Sequence, residues 1–183
     1  MVNKRERTPK RQMKRIALVI CEGDTEAEYV NLLRRWHKSP IKIISHIEGA
    51  KITQTLIDKR AADLKISSSD KVDTFLMYDM DVPAVTAKLM KSKAELLLSN
   101  PCFEIWFLLH SKDQRTALGS DSAVKELKKS SHVWNNYKKG TLSETQKIFL
   151  NEHLRDAIDR AKCLRDFNNP SSRVYKLLEF LEK

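Results

Sequence analysis

Residues 16–25 read Ile-Ala-Leu-Val-Ile-Cys-Glu-Gly-Asp-Thr, and this stretch decides the fold class. An unbroken apolar run from Ile16 to Cys21, rich in β-branched side chains, is the pattern of a strand buried on both faces, as in a parallel sheet. Glu22-Gly23-Asp24 turns the chain. Thr25 and Glu28 stand at capping-box spacing, and Ala27, Val30, Leu33 and Trp36 follow at helical intervals, predicting a helix from about Thr25 to His37. Pro40 stops it. The alternation then repeats. Ile41 to Ile47 reads as a second strand, and Ile52, Leu56, Ile57, Ala61 and Leu64 as a second helix. Val72 to Tyr78 is a third strand, and Pro83 opens a short helix reaching about Met90. Glu95 to Leu98 is a short fourth strand, and Asn100-Pro101 opens a strongly apolar helix from Cys102 to about Ser111. Such alternation with short links argues for an α/β fold, a mostly parallel sheet covered by helices through right-handed crossovers.

The second half changes character. A helix is expected from Ser122 to Lys129, then a loop holding His132, Trp134 and Tyr137. A capping box at Ser143 and Gln146 opens a long helix to about Arg165, and Val174, Leu177, Leu178 and Leu181 mark a final one. The chain thus divides into a basic tail (1–15), an α/β core (16–111) and a helical extension (112–183).

The chain has 183 residues, a net charge of +10, 41% hydrophobic and 32% charged residues, which suits one globular domain. No apolar run approaches the ~18 residues of a membrane span, and the basic N-terminus lacks the apolar stretch of a secretory signal. Cys21, Cys102 and Cys163 are too scattered for a disulfide scaffold or a CxxC zinc site, which fits a reducing cytoplasm. Among four glycines there is no GxGxxG or GxxxxGK[ST], so dinucleotide-binding and P-loop readings are excluded. The charge is uneven: residues 1–15 carry +6 and residues 112–140 carry +4, around a near-neutral body. The arm (Lys4, Arg5, Arg7, Lys10, Arg11, Lys14, Arg15) is a candidate phosphate-backbone contact or a solubilising tail. Lys125, Lys128 and Lys129, with Trp134 and Tyr137, read as a single-strand-binding surface or as a solvated helix face beside core aromatics.

In an open parallel sheet, ligands bind beyond the carboxyl ends of the strands. Those ends carry Glu22 after strand one, and Asp79 and Asp81 after strand three, the latter two on one side of an extended segment. If the two strands are adjacent, three carboxylates converge, a cluster that calls for a divalent cation or shared protons. Mg²⁺ (or Mn²⁺) suits carboxylate oxygen and leaves sites for phosphate. The alternative is that both acidic segments are polar strand-end turns.

Val19-Ile20-Cys21-Glu22-Gly23, followed by Met77-Tyr78-Asp79-Met80-Asp81, resembles the Toprim domain of topoisomerases, primases and nucleases of the overcoming-lysogenization-defect type. Ser99-Asn100-Pro101-Cys102-Phe103-Glu104 within residues 98–110, and Asn169-Pro170-Ser171-Ser172-Arg173-Val174, resemble motifs of RloB-like proteins, so the resemblance spans 16 to about 181. It implies a Toprim-like (Rossmann-like) sheet and a Mg²⁺-dependent nuclease of phage-defence and restriction loci. It also implies a separate ABC-type ATPase partner. Glu22 would then match the general acid/base, and Asp79 and Asp81 the metal ligands. Val82-Pro83 follow the acids where many Toprim domains continue with further acids and a glycine.

Glu104 sits on a very apolar helix, where a carboxylate is costly unless paired or metal-bound. It is a candidate for the acidic site or for a structural ion pair. His110 ends the same helix, as a proton shuttle, a substrate contact or a charge favoured by the helix dipole. Asn100 is a helix cap or a phosphate contact, and Arg173 a candidate phosphate contact. The leading expectation is a metal-dependent nuclease acting on DNA or RNA. A non-catalytic Toprim-like module binding nucleic acid or a partner ATPase is the alternative, and nucleotidyl transfer ranks last. The sequence leaves a homo-oligomer open.

Overall fold

A computed structural model describes residues 14–37, 40–64, 66–67 and 70–182. The arm residues Lys4, Arg5, Arg7, Lys10 and Arg11 therefore lie outside the described residues, whereas Lys14 and Arg15 lie within them.

Strand β1 (Arg15–Cys21) is buried at every position from Ile16 onward. It is the inner strand its apolar run predicts, flanked by parallel neighbours on both sides. Helix α1 (Asp24–Trp36) leads to β2 (Lys42–Ile47), α2 (Gln54–Ala62) to β3 (Lys71–Met77), and α3 (Pro83–Leu89) to β4 (Glu95–Leu96). The four strands form one sheet in the order β2-β1-β3-β4, and all three pairings are parallel. The fold is α/β. Beyond β4 the chain stays on β3: Leu97 donates to the carbonyl of Leu76 (2.8 Å) and Ser99 to that of Tyr78 (3.0 Å).

Side-chain alternation along β1 and β3 builds two cores. Ala17, Val19, Cys21, Phe75 and Met77 face one side and pack with α1. Leu18, Ile20, Leu76 and Tyr78 face the other and pack with Ile57 of α2 and Val85 and Leu89 of α3. The order of strand addition across the sheet reverses between β1 and β3, since β2 lies on one side of β1 and β3 on the other.

The second half fills the first core. Two-residue β5 (Ser99–Asn100) precedes α4 (Glu104–Ser111), which is buried from Glu104 to His110. Around it lie α5 (Ser120–Ser130), α6 (Glu144–Glu152), α7 (Leu154–Lys162) and, after two-residue β6 (Ser171–Ser172), α8 (Tyr175–Leu181). Leu127, Trp134, Leu150, Ile158 and Leu178 share one apolar cluster with Val19 and Val30, so residues 112–182 pack into the core of the sheet.

Two local expectations are corrected, and one pairing is additional. Thr25 does not cap α1: Gly23 does, with its N–H donating to Glu26 Oε2 (3.1 Å), while Thr25 is buried. The expected long helix is two helices, because His153 leaves helical geometry (φ −103°, ψ 13°). Its ring packs 4.3 Å from Phe149 and its Nδ1 meets Asp156 at 3.3 Å, a bend that lets α6 and α7 both face α4. The antiparallel β5–β6 pair was not foreseen.

Candidate active site

Glu22 and Asp79 meet because β1 and β3 run side by side and end level, with Cys21 opposite Met77. Glu22 donates its N–H to the Met77 carbonyl (3.0 Å), and its Oε2 accepts the N–H of Asp79 (2.9 Å). This is the crevice where the sheet's connectivity reverses, the usual ligand position in such sheets. On the far side Asp79 bridges to Ser99, and Met80 donates to the carbonyls of Ser99 (3.0 Å) and Pro101 (3.3 Å). The loop therefore presents Asp79 from a fixed backbone.

Asp79 Oδ1 is buried with no hydrogen-bond partner. Burial, then the charges of Glu26, Glu22, Glu104 and Asp81, push its pKa up to about 9. Asp81 is exposed and accepts a long hydrogen bond (3.4 Å) from Ser120 at the start of α5. Half-buried Glu22 is shifted upward, chiefly by burial; the Asp79 N–H and Lys139 oppose this, and Asp81 adds to it.

Glu104 opens α4 and is 1% exposed. Its Oε1 accepts from the Tyr137 hydroxyl (3.0 Å) and lies 3.3 Å from Lys139 Nζ, while its Oε2 is buried and unpartnered. Glu26 completes the group. It is buried on the first turn of α1, and its pKa rises to about 7, driven by burial. The two backbone N–H groups at that turn pull it down, and Glu22 and Glu104 push it up. Glu26 and Lys139 are site residues that the sequence does not single out, and Tyr137, expected at a nucleic-acid surface or in the core, joins the acidic site instead. Glu26 carried one signal, an acid four residues past Glu22 in an otherwise buried helical turn.

Lys139 arrives on a tight turn in which Lys138 bridges to Thr141. Gly140 adopts φ +82°, a conformation that favours glycine, and its N–H donates to Thr25 Oγ1 (2.9 Å). A β-carbon there would come within 3.2 Å of Asp24 Cβ. Buried Thr25 thus docks the turn onto the start of α1.

The donor set is carboxylate oxygen, with two buried acceptors (Asp79 Oδ1 and Glu104 Oε2) lacking partners. That chemistry suits a hard divalent cation. Among the described residues no three Asp, Glu, His or Cys side chains are gathered closely enough to hold a metal as they stand. Their present contacts explain this: Glu22 is turned to the Asp79 N–H, Asp81 to Ser120, and Glu104 to Tyr137 and Lys139.

The other candidates lie elsewhere. His110 ends α4, about 9 Å along the axis from Glu104 at 1.5 Å per residue. Its Nδ1 donates to the Trp106 carbonyl (2.8 Å) and its Nε2 is buried without a partner. Burial is the main cause of its pKa falling to about 3, and the charges bearing on it are those of His153, Arg160 and Asp156. It is a core residue kept neutral. The unfolded chain protonates it near pH 6.5 and the folded one near 3, so its share of stability is present above about pH 6.5 and is lost as pH falls toward 3. Melting curves should accordingly show the wild type losing stability to His110→Asn, which keeps a donor for Trp106, as pH drops through this window. Parallel curves would refute the buried neutral state.

Asn100 caps no helix; its amide donates to the Phe167 carbonyl (2.9 Å). Arg173 pairs with Glu95 (2.7 Å) and Asp166 (3.1 Å) and lies over the Phe167 ring. Lys125, Lys128 and Lys129 are exposed on α5, but Trp134 and Tyr137 are buried and offer no stacking face. The two motif segments meet: Ser99 pairs with Ser172 and Asn100 with Ser171, and the hydroxyls of Ser99 and Ser172 are 3.0 Å apart. No helix among the described residues is long and apolar enough to cross a membrane.

A family model described as RloB-like protein matches residues 17–181. No curated protein and no solved structure matches the chain.

Proposed function

Since the chain belongs to the RloB-like protein family, we propose that it is a Toprim-type, metal-dependent nuclease subunit cutting phosphodiester bonds in DNA or RNA. One observation carries this reading. Four acids (Glu22, Glu26, Asp79, Glu104) are concentrated beyond the ends of β1 and β3 with exposed Asp81 beside them, and two buried carboxylate oxygens there have no partner. Buried carboxylates in repulsion destabilise a fold, and an arrangement kept despite that cost supports a functional role. Asp79, Asp81 and Glu104 would hold Mg²⁺ or Mn²⁺. A bound divalent cation supplies charge neutralisation at the phosphoryl group in transit. Glu22, half-buried at the rim with a raised pKa, is placed to take or return a proton at the attacking or leaving oxygen. The rim is open to solvent at exposed Asp81 and at Lys139, which is half out of the protein. A bacterial phage-defence role beside a separate ABC-type ATPase rests on the family resemblance.

The test is cleavage of labelled single- and double-stranded DNA and RNA with Mg²⁺ or Mn²⁺. Glu22→Gln should slow cleavage by roughly 10²–10⁴ while leaving the fold intact, the usual worth of a general acid or base. Equal rates would remove Glu22 from the chemistry. The second reading is a non-catalytic module binding nucleic acid or the ATPase. It is favoured by the present engagement of Glu22, Asp81 and Glu104 with protein partners. It predicts no calorimetric heat of divalent binding that depends on Asp79.

A further inference from the structure

We propose that Lys139 is the resident counterion of the acidic site, and that a divalent cation binds by displacing its ammonium from Glu104. This inference rests on the metal-binding reading above. Glu104 is 1% exposed, and a carboxylate so buried needs a compensating charge. Lys139 supplies it at 3.3 Å and also bears on Asp79 and Glu22. It is the one cation that touches a site carboxylate among the described ion pairs. The two functional oxygens of Glu104 are unequally used. Oε1 takes both Tyr137 and Lys139, while Oε2 is buried and empty-handed.

The geometry separates a fixed backbone from a removable charge. The turn is held by the Gly140–Thr25 hydrogen bond and the Lys138–Thr141 bridge, neither of which involves the Lys139 side chain. That side chain is 58% exposed. With that exposure the ammonium can swing out without disturbing the turn or α4. Tyr137 stays on Oε1 as a neutral donor. A monovalent charge on a flexible, exposed stem holds the carboxylates together until a cation of higher charge density takes its place. Lys139 and the metal therefore compete for the same field.

Competition makes a prediction opposite to that of a merely structural lysine: removing the charge should tighten metal binding. Mn²⁺ titrated into the full chain and followed by the loss of the free-ion electron paramagnetic resonance signal reads this without any cleavage. Lys139→Met should bind Mn²⁺ about tenfold tighter than the wild type, a Coulombic effect discounted for exposure, and Lys139→Arg within about twofold of it. Without metal, Lys139→Met should also melt lower and gain more on Mn²⁺ saturation. Lys139→Gln, titrated in parallel, keeps the test readable should methionine at this exposed position promote association. If the wild type binds Mn²⁺ and Asp79→Asn does not, but both neutral Lys139 variants bind equally or more weakly, the counterion inference falls and the metal reading stands. If the wild type shows no Mn²⁺ binding that Asp79→Asn removes, both fall.

Discussion

Asp79→Asn is expected to melt higher than the wild type, by about 2–4 °C for each ~1 kcal/mol gained at this chain length, and to lose divalent binding together with cleavage. The substitution keeps shape and removes a carboxyl whose ionisation its surroundings strongly oppose. Asp79 is half-buried, its Oδ1 is buried and unpartnered, and Glu26, Glu22, Glu104 and Asp81 all repel its charged form. The direction with pH follows from the same facts. An unfolded aspartate gives up its proton at about pH 4, whereas Asp79 holds its proton to about 9. The unfolded state therefore binds fewer protons between those limits, so the contribution of Asp79 to stability is whole below about pH 4 and drains away as pH rises toward 9. The stability advantage of Asp79→Asn should then widen from pH 5 to pH 8 in thermal melts. Cleavage should fall by roughly 10³ or more, since the metal's share of such a reaction is several kcal/mol. A variant that melts lower at pH 8 and still cuts would overturn both the electrostatic account and the assignment of Asp79.

Trp134→Ala should cost about 3–5 kcal/mol, the range for emptying a buried aromatic site. Trp134 is fully buried, stacks on Phe107 (5.5 Å between centroids, 15° between planes) and meets Tyr137 and Phe149 edge-on. Its Nε1 donates to Ser111 Oγ (3.0 Å). These contacts join the segment after α5 to the helix under the sheet. Chemical denaturation should show one cooperative transition moved to much lower denaturant, with an unchanged slope. A near-neutral substitution, or two separate transitions, would mean that the helical half folds apart from the sheet. A stacking role for nucleic acid would instead lower affinity with stability intact.

The sheet was legible because burial on two faces leaves an unbroken apolar run, and Ile16 to Cys21 is one. Glu22 and Asp79 were legible as neighbours because a parallel sheet places all its strand ends at one rim. Glu104 was marked by an acid among Phe103, Ile105 and Trp106. Lys139 was not legible, because its approach depends on a tertiary bond between Gly140 and Thr25, 115 residues apart, and local spacing carries no trace of that. For Arg173 and Asn100 the residue type was right for phosphate, but carboxylates and a carbonyl within the protein already occupy them. The bend at His153 escaped because apolar spacing continues through it.

The β5–β6 pair sets an order of events. Ser99 supports the Asp79 loop from one side and meets Ser172 on the other, across 73 residues of chain. Contacts of such separation close late, since the intervening chain must first be ordered. During synthesis, Asp79 can reach the rim beside Glu22 once β3 has paired with β1, but its supporting strand lacks its last partner until Ser171 and Ser172 have emerged. A nascent or C-terminally clipped chain would carry the acids without the frame that aims them. The frame around Asp79 is thereby complete only once Ser171 and Ser172 have joined Ser99 and Asn100.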